Sequence, residues 1–356
     1  MDNWGEYLVA CSSSDGNAYE WQLDTSTAAA VIANAPVNNL ALMVSAERFL
    51  FCLGAGGNPR KVQWSDRENN TLWAAADTNE AGDLELQTAG QIMCGLKVRG
   101  QSLILTDQDA HSATYQGPPF VYAFERVGQS CGVVSRKAAI SVDAGAFWMG
   151  QEGFFSYSGG TVQELPCDVA DYVFGDINRA QISLVHSVPM AQHGEIWWFY
   201  PSGASNKCNR YVALDYKEGH WTFGTIDRTC GVGRGVFKYP LWVDSLGNLW
   251  EQEVGLNYDG AIIFAESGPI SLGVGDQVMT ATSMYPDEST QGDVTATFKT
   301  RFYPNGDEQT HGPYSMSNPT DVRFTGRQVR LRIEGARLAN WRVGTMRLDV
   351  TPGGKR

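Results

Sequence analysis

The sequence predicts an all-β protein, a β-propeller-like body followed by a smaller C-terminal β-sandwich-like domain. Three observations predict it. Short runs rich in aromatic and β-branched residues, broken by Gly, Asn and Asp, recur almost throughout, as in YLVAC then DGNAYEW, RFLFCL then KVQW, and SLILTD then SATYQG. These runs come in pairs, an apolar strand, a turn and an aromatic-ended strand, beginning near Leu8, Phe49, Leu103, Phe147, Ile196 and Leu241. That spacing, roughly 40 to 55 residues, suits propeller blades. After about Gly255 the texture becomes less aromatic and richer in hairpins.

The body is expected over residues 1–255. LVACSSSDGNAYEW, AFWMGQEGFFSYSGG and LWVDSLGNLWEQE show its unit most plainly, a Gly-bearing turn between two strands whose closing aromatic can wedge between blades. A β-sandwich is the competing architecture, and the near-even spacing favours the propeller. The second domain is expected over 256–343, with Pro304, Asn305 and Gly306 in a long hairpin loop. The final strand, TMRLDVTP within 344–352, is expected to return to the body and close it, because propellers commonly pair chain ends in one blade; otherwise a second polypeptide supplies the missing strands. Helical spacing is rare. The best segment is DVADYVFGDINRAQI, 168–182, where Val169, Tyr172, Val173 and Ile177 share a face, and a weaker one runs from Thr25 to Ala35.

Charge narrows the partners. The chain carries 27 Lys and Arg against 39 Asp and Glu, a net −12, which argues against tight sequence-specific nucleic-acid binding. From Arg323 onward nine basic residues face two acidic ones, leaving 18 against 37 before that point. In QVRLRIE, Val329, Leu331 and Ile333 point one way and Arg330, Arg332 and Glu334 the other. A solvated strand face is the plain reading of those arginines. The alternative is a subunit contact or a phosphate-facing surface, and Arg330, Arg332, Arg342 and Arg347 are the candidate interface residues.

Catalytic chemistry is sparsely signalled. The five histidines form no paired motif and the seven cysteines are scattered singly, so neither a metal site nor a cofactor is indicated. LGAGGNPR lacks the Lys-Ser or Lys-Thr of a phosphate cradle and reads as a turn. SSSDGNAYEW and VDSLGNLW each come close to the aspartate-box turn of sugar-cleaving propellers, S-x-D-x-G-x-x-W, and each misses it. Glu195 and Glu251 stay open as a glycosidase pair. The start, MDNWGEYLVACSSSDG, lacks the features of a signal peptide, no run is long enough to span a membrane, and synthesis in the cytoplasm is expected.

One polar loop, RKVQWSDRENNTLW (60–73), is flanked by two tryptophans, as either a site or a joint requires. It is followed by TNEAGDLELQTAGQIMCGLKVRGQSLILTD, YQGPPFVYAFERVGQSCGVVS, HGEIWWFYPS and RYVALDYKEGHWTFGT. Together these motifs, over about residues 4–240, resemble the packaged-DNA stabilisation, or tail nozzle, proteins of short-tailed bacteriophages. The resemblance implies that Trp64 and Trp73 are joints and that Ser65 and Asp66 cap the turn. It also implies a non-enzymatic virion protein, a homohexameric ring docked on the portal or adaptor and other tail proteins, sealing packaged DNA and passing it at ejection. The acidic body agrees, since carboxylates let DNA slide. NWGEYLVAC-like sequence lies further inside such proteins, whereas here it begins at residue 3. The rival function is a glycan-binding or glycan-cleaving propeller of a phage tail.

Overall fold

Each strand pair picked out by the sequence folds as a hairpin of a small antiparallel sheet, the middle hairpin in the first five sheets and the closing one in the sixth. The computed structural model describes residues 1–256, 262–275, 277–316, 319–335 and 339–353. It divides into two units, Met1–Glu253 and Val254–Arg356.

The first unit is a series of six meanders. The first sheet holds Asp2–Trp4, Tyr7–Cys11, Ala18–Trp21 and Ala30–Val31; the second Ala41–Val44, Leu50–Leu53, Lys61–Trp64 and Gly82–Glu85. The third holds Ile92–Val98, Gln101–Thr106, Asp109–Gly117 and Val121–Gln129; the fourth Ala139–Val142, Gly145–Met149, Phe154–Tyr157 and Gln163–Leu165. The fifth holds His186–Met190, Glu195–Tyr200, Arg210–Asp215 and His220–Thr225, and the sixth has three strands, Cys230–Val232, Leu241–Val243 and Leu249–Glu251. Every sheet runs in chain order, and the opening strand of each packs on the opening strand of the next. This is a β-propeller-like arrangement. The opening strands converge: the Asp2 carboxylate accepts from the Val44 N–H of the second sheet at 2.9 Å and pairs with Lys97 Nζ of the third at 3.1 Å.

Burial explains the apolar runs. Leu50–Leu53 and Gly145–Met149 are buried at every position, so both faces of those strands meet neighbouring sheets and the period-two alternation is lost. Four clusters of buried side chains link the sheets serially: first to second, second to third, third through fifth, and fifth to sixth. Among the described residues none links sixth to first, and the opening strands of those two sheets do not pack together as the others do.

Two local expectations change. The helix forms only over Ala170–Asp176, followed by a 3-10 turn over Arg179–Leu184; Val173 and Ile177 are buried, Val169 just before the helix is half-buried against the same core, and Tyr172 is 42% exposed, so three of the four expected residues face inward. Thr25 to Ala35 is not helical. It contains the two-residue strand Ala30–Val31 between turns, and Trp21 Nε1 donates to the Asp24 and Thr27 carbonyls, holding the chain in a turn.

The second unit is a sandwich. One sheet carries Phe264–Glu266, Gln328–Gly335, Val294–Arg301 and Gln309–Ser315 in that order, with Ile270–Ser271 also on Gln328–Gly335; the other carries Thr320–Gly326, Met279–Pro286 and Met346–Pro352. Val294–Arg301 alternates buried and half-buried along its length, and Val294, Ala296 and Phe298 meet Ala281, Met284, Val322 and Phe324 of the facing sheet. The final strand does not return to the body. Met346–Pro352 pairs with Met279–Pro286 from Met279↔Pro352 to Pro286↔Met346, because its half-buried Met346, Leu348 and Val350 pack on the sandwich core.

Candidate functional site

The tryptophan-flanked loop is a joint. Trp64 is buried against Phe51, Tyr122 and Phe124, which joins the second sheet to the third, and its Nε1 donates to the Glu80 carbonyl at 2.9 Å. Trp73 is buried between the first and second sheets and donates to Asn70 O at 2.7 Å. Ser65 Oγ accepts from Leu50 N–H and donates to Asp66 O, while Asp66 Oδ1 accepts from Glu80 N–H at 2.9 Å. These caps tie the loop to distant backbone, and no side chain of the joint is left to meet a ligand through its indole. Trp198 is fully buried and donates to Ala138 O at 2.9 Å, and Trp197 is half-buried, stacked on Tyr211 with ring centres 4.2 Å apart.

The two near-miss aspartate boxes are aspartate-pinned turns all the same. Asp244 accepts from Trp250 Nε1, from the Asn248 side chain and from the Asn248 and Leu246 N–H groups, and these donors, the indole foremost, hold its carboxyl far below the ordinary range. Asp15 accepts from Asn17 N–H and Tyr19 Oη, which lower it to about 2. Gly16, next in sequence, has φ +66, and a Cβ there would stand 2.6 Å from Asn38 Cα, so the glycine follows the aspartate directly because a connector backbone lies on it.

The four candidate interface arginines fall into two pairs. Arg330 and Arg332 sit at neighbouring outward positions of Gln328–Gly335, and both reach Glu266 on the adjoining strand, Arg332 Nη1 at 3.2 Å, with Lys299 Nζ joining at 3.0 Å. Glu308 and Glu334 complete three cations and three carboxylates. Burial works to raise the Glu266 carboxyl, and Lys299, Arg332 and Arg330 outweigh it, leaving it below the usual glutamate range. The Arg332 guanidinium also lies 3.7 Å from the centre of the Phe264 ring. These two charges are therefore engaged within the chain. Arg342 and Arg347 are exposed, the first bridging Gln291 by backbone and the second on the edge strand Met346–Pro352.

One buried polar group that sequence reasoning missed is centred on the third sheet. Asp109 accepts from Thr88 Oγ1 at 2.9 Å and Thr106 Oγ1 at 2.6 Å, locking the connector into the sheet to the hairpin inside it. His111 Nε2 stands 3.2 Å from Asp109, yet burial outweighs that carboxylate and holds the imidazole below its ordinary pKa. Burial likewise pushes the Cys131 and Cys167 thiols up to about 11, which leaves them poor nucleophiles. Ser245 Oγ lies 2.6 Å from Lys207 Nζ, but Asp227 holds that ammonium at 2.8 Å, so the trio is a clamp between the fifth and sixth sheets rather than a nucleophile with its base. Glu195 and Glu251 sit on different sheets; Glu195 accepts from Trp197 Nε1 at 2.8 Å and Glu251 is exposed. Among the described residues no group of three or more His, Cys, Asp or Glu is placed to hold a metal ion.

One concavity has the chemistry of a binding site. A cleft of about 530 Å³ between the third and fourth sheets is lined by Asp107, Glu152 and Glu164, by Gln108, Gln129 and Gln151, and by the Phe155 ring. Carboxylates and carboxamides around one aromatic ring suit a polyhydroxylated ligand.

No family model matches the chain, and no curated protein matches it. Among solved structures, the chain is similar to the dihydro-heme d1 dehydrogenase NirN, with 11% identity and a TM-score of 0.42 over 91% of this chain and 65% of that one. It thus spans 65% of the length of NirN. An extracellular domain of the two-component system BT3049 from B. thetaiotaomicron aligns at 10% identity and TM-score 0.43, covering 98% of this chain and 49% of that one. An exo-beta-1,3-galactanase from Phanerochaete chrysosporium aligns at 10% identity and TM-score 0.30, covering 98% and 90%.

Proposed function

We propose that the chain is a structural subunit of a short-tailed bacteriophage tail, a nozzle or tube protein that assembles as a homo-oligomeric ring, seals packaged DNA and forms its ejection conduit. The observation that carries this reading is the ordered set of family-like motifs. RKVQWSDRENNTLW, QSLILTD, FVYAFERVGQ, EIWWFY and RYVALD fall in order on the second, third and fifth sheets, the first of them running into the loop between the last two strands of the second sheet, and their tryptophans pack sheets together. Tryptophans packed in this way serve architecture rather than chemistry. A net charge of −12 supports a conduit that repels phosphate. Docking on a portal or adaptor, a virion location and hexameric symmetry belong to the same reading.

The test is genetic and biochemical together. Virions of the phage encoding this chain should contain it in multiple copies at the tail, and particles made without it should package DNA and then lose it. Tailed particles that keep their DNA without the chain would end the proposal.

The cleft between the third and fourth sheets favours one second reading, retention of a glycan by a tail-borne propeller. Saturable binding to a saccharide array, abolished by Glu152→Gln with Glu164→Gln, would support it; no retention of any glycan by the intact chain would dismiss it.

A further inference from the structure

The sandwich holds a groove of its own, in two lobes that share Phe302 and Thr325. The first lobe, about 580 Å³, is lined by Thr280 and Thr282 of Met279–Pro286 and by Asp321 and Arg323 of Thr320–Gly326, together with Gln309 and His311. The second, about 520 Å³, is lined by Tyr303 and Asp307 of the long hairpin loop and by Arg327.

Phe302 and Tyr303, adjacent in sequence, are 39% and 61% exposed. Neighbouring rings left in water beside a concavity mark a ligand surface more than a scatter of surface apolar residues does. The loop that carries them is held in place. Gly306 N–H donates to the Tyr303 carbonyl at 3.0 Å, Arg327 N–H donates to the Arg301 carbonyl at 3.1 Å, and the Arg327 guanidinium sits 5.3 Å from the centre of the Tyr303 ring. The first lobe is held as well: the Thr280 and Thr325 hydroxyls are 3.0 Å apart, His311 Nε2 is 3.0 Å from Thr300 Oγ1, and the imidazole stacks on Phe324.

Each lobe is lined by one guanidinium and one carboxylate, Arg323 with Asp321 in the first and Arg327 with Asp307 in the second. Asp307, Asp321 and Arg323 are exposed, and among the described residues none of the three is in an ion pair. The lining therefore has no net charge, since burial favours the neutral form of His311. A phosphate polymer would meet a carboxylate in each lobe. A sugar hydroxyl both donates and accepts, so it satisfies groups of either sign, while the C–H face of the sugar lies on an aromatic ring.

We propose that this groove of the sandwich binds an uncharged oligosaccharide, with Phe302 and Tyr303 as stacking platforms and Arg323, Asp321 and Gln309 as hydroxyl partners. Two lobes meeting at Phe302 suit at least two linked sugar residues. The site lies in the second unit and depends neither on the nozzle reading nor on the cleft of the body.

The experiment is retention of the full chain on immobilised neutral hexasaccharides of glucose, galactose and mannose, with heparin and polythymidine as anionic probes. One variant carries Phe302→Ala and Tyr303→Ala, a second Arg323→Gln, and a third Glu152→Gln with Glu164→Gln in the body cleft. Circular dichroism and melting temperature, matched to the parent, establish that each folds. The parent should bind at least one neutral hexasaccharide saturably, the first two variants should bind it at least about tenfold more weakly, and the third should bind it as the parent does. Retention of no neutral hexasaccharide, or retention by heparin or polythymidine alone, would overturn the proposal. So would binding that survives the first two variants and disappears in the third, which would move the sugar to the body cleft.

Discussion

Gly82 lies under the indole of Trp64, its partner across the strand pair Lys61–Trp64 and Gly82–Glu85, so closely that a Cβ would stand 2.5 Å from Cζ2. The ring in turn packs on Tyr122 of the third sheet. Trp64→Ala should cost on the order of 3–5 kcal/mol as a large buried ring is removed. Gly82→Ala should cost about 1–3 kcal/mol by overpacking. The double variant should cost less than the sum, because the alanine then fills space the indole has left. Denaturant melts of the three variants check this, and strict additivity would contradict the contact.

Glu266 is the centre of the charge network in the second unit, 11% exposed at its side chain. Glu266→Gln leaves Lys299, Arg330 and Arg332 close together with one acceptor fewer, and should destabilise that unit by on the order of 1–3 kcal/mol, less than a fully buried pair would lose. Reversing Arg330 and Arg332 to Glu should therefore unfold the sandwich before it disturbs assembly. Thermal unfolding of the variants, read beside their oligomeric state, separates the two effects; normal melting with failed assembly would return these arginines to the interface. Lowering pH acts in the same direction. The Glu266 carboxyl is depressed in the folded state, so its contribution is complete above the ordinary glutamate pKa of about 4.3 and is lost as pH falls through the folded value.

Three imidazoles titrate the other way round from a salt-bridged histidine. Burial lowers His111 and His186 in the body and His311 in the sandwich, so each is folded in its neutral form. The unfolded chain then binds protons first as pH drops below about 6.5, and stability falls from that point downward. Melting temperature measured between pH 8 and 5 should decline below 6.5, and His186→Gln should flatten the slope. A flat profile in the parent chain would contradict the burial of these rings.

Asp244 offers a spectroscopic test. Its carboxylate fixes the Trp250 indole, so Asp244→Ala should shift tryptophan emission to the red and lower the melting temperature while the fifth sheet is retained. Because the carboxyl is depressed, acidification of the parent should leave that emission unchanged until well below pH 4. An emission spectrum unaltered by the substitution would show that the turn holds without its carboxylate.

Much of the fold was legible because its signals are local. The pairs beginning near Leu8, Phe49, Leu103, Phe147 and Ile196 are the middle hairpins of the first five sheets and the pair near Leu241 closes the sixth, and Val329, Leu331 and Ile333 on the sandwich core with Arg330 and Arg332 on Glu266 make the two-faced strand it promised. The outer strands were harder. Ala30–Val31 is two residues long, too short to show a period, and an alanine-rich run around it mimics a helix. The final strand was sent to the wrong unit because nothing in TMRLDVTP distinguishes one sheet edge from another. The site chemistry was least legible: Glu266 meets Arg332 from 66 residues away, and Asp109 meets Thr88 from 21, distances at which one sequence carries no pairing signal.

The serial linkage of the sheets has a consequence for how the body comes apart. A circle of mutually bracing parts has no weak point and melts all at once, whereas a row with two free ends frays from them, as stacked repeats do. The third, fourth and fifth sheets, which share one cluster of buried side chains, are the interior of the row. Their amides should exchange with deuterium last, those of the first and sixth sheets soonest, and joining a neighbour at either end should slow exchange inward from that end.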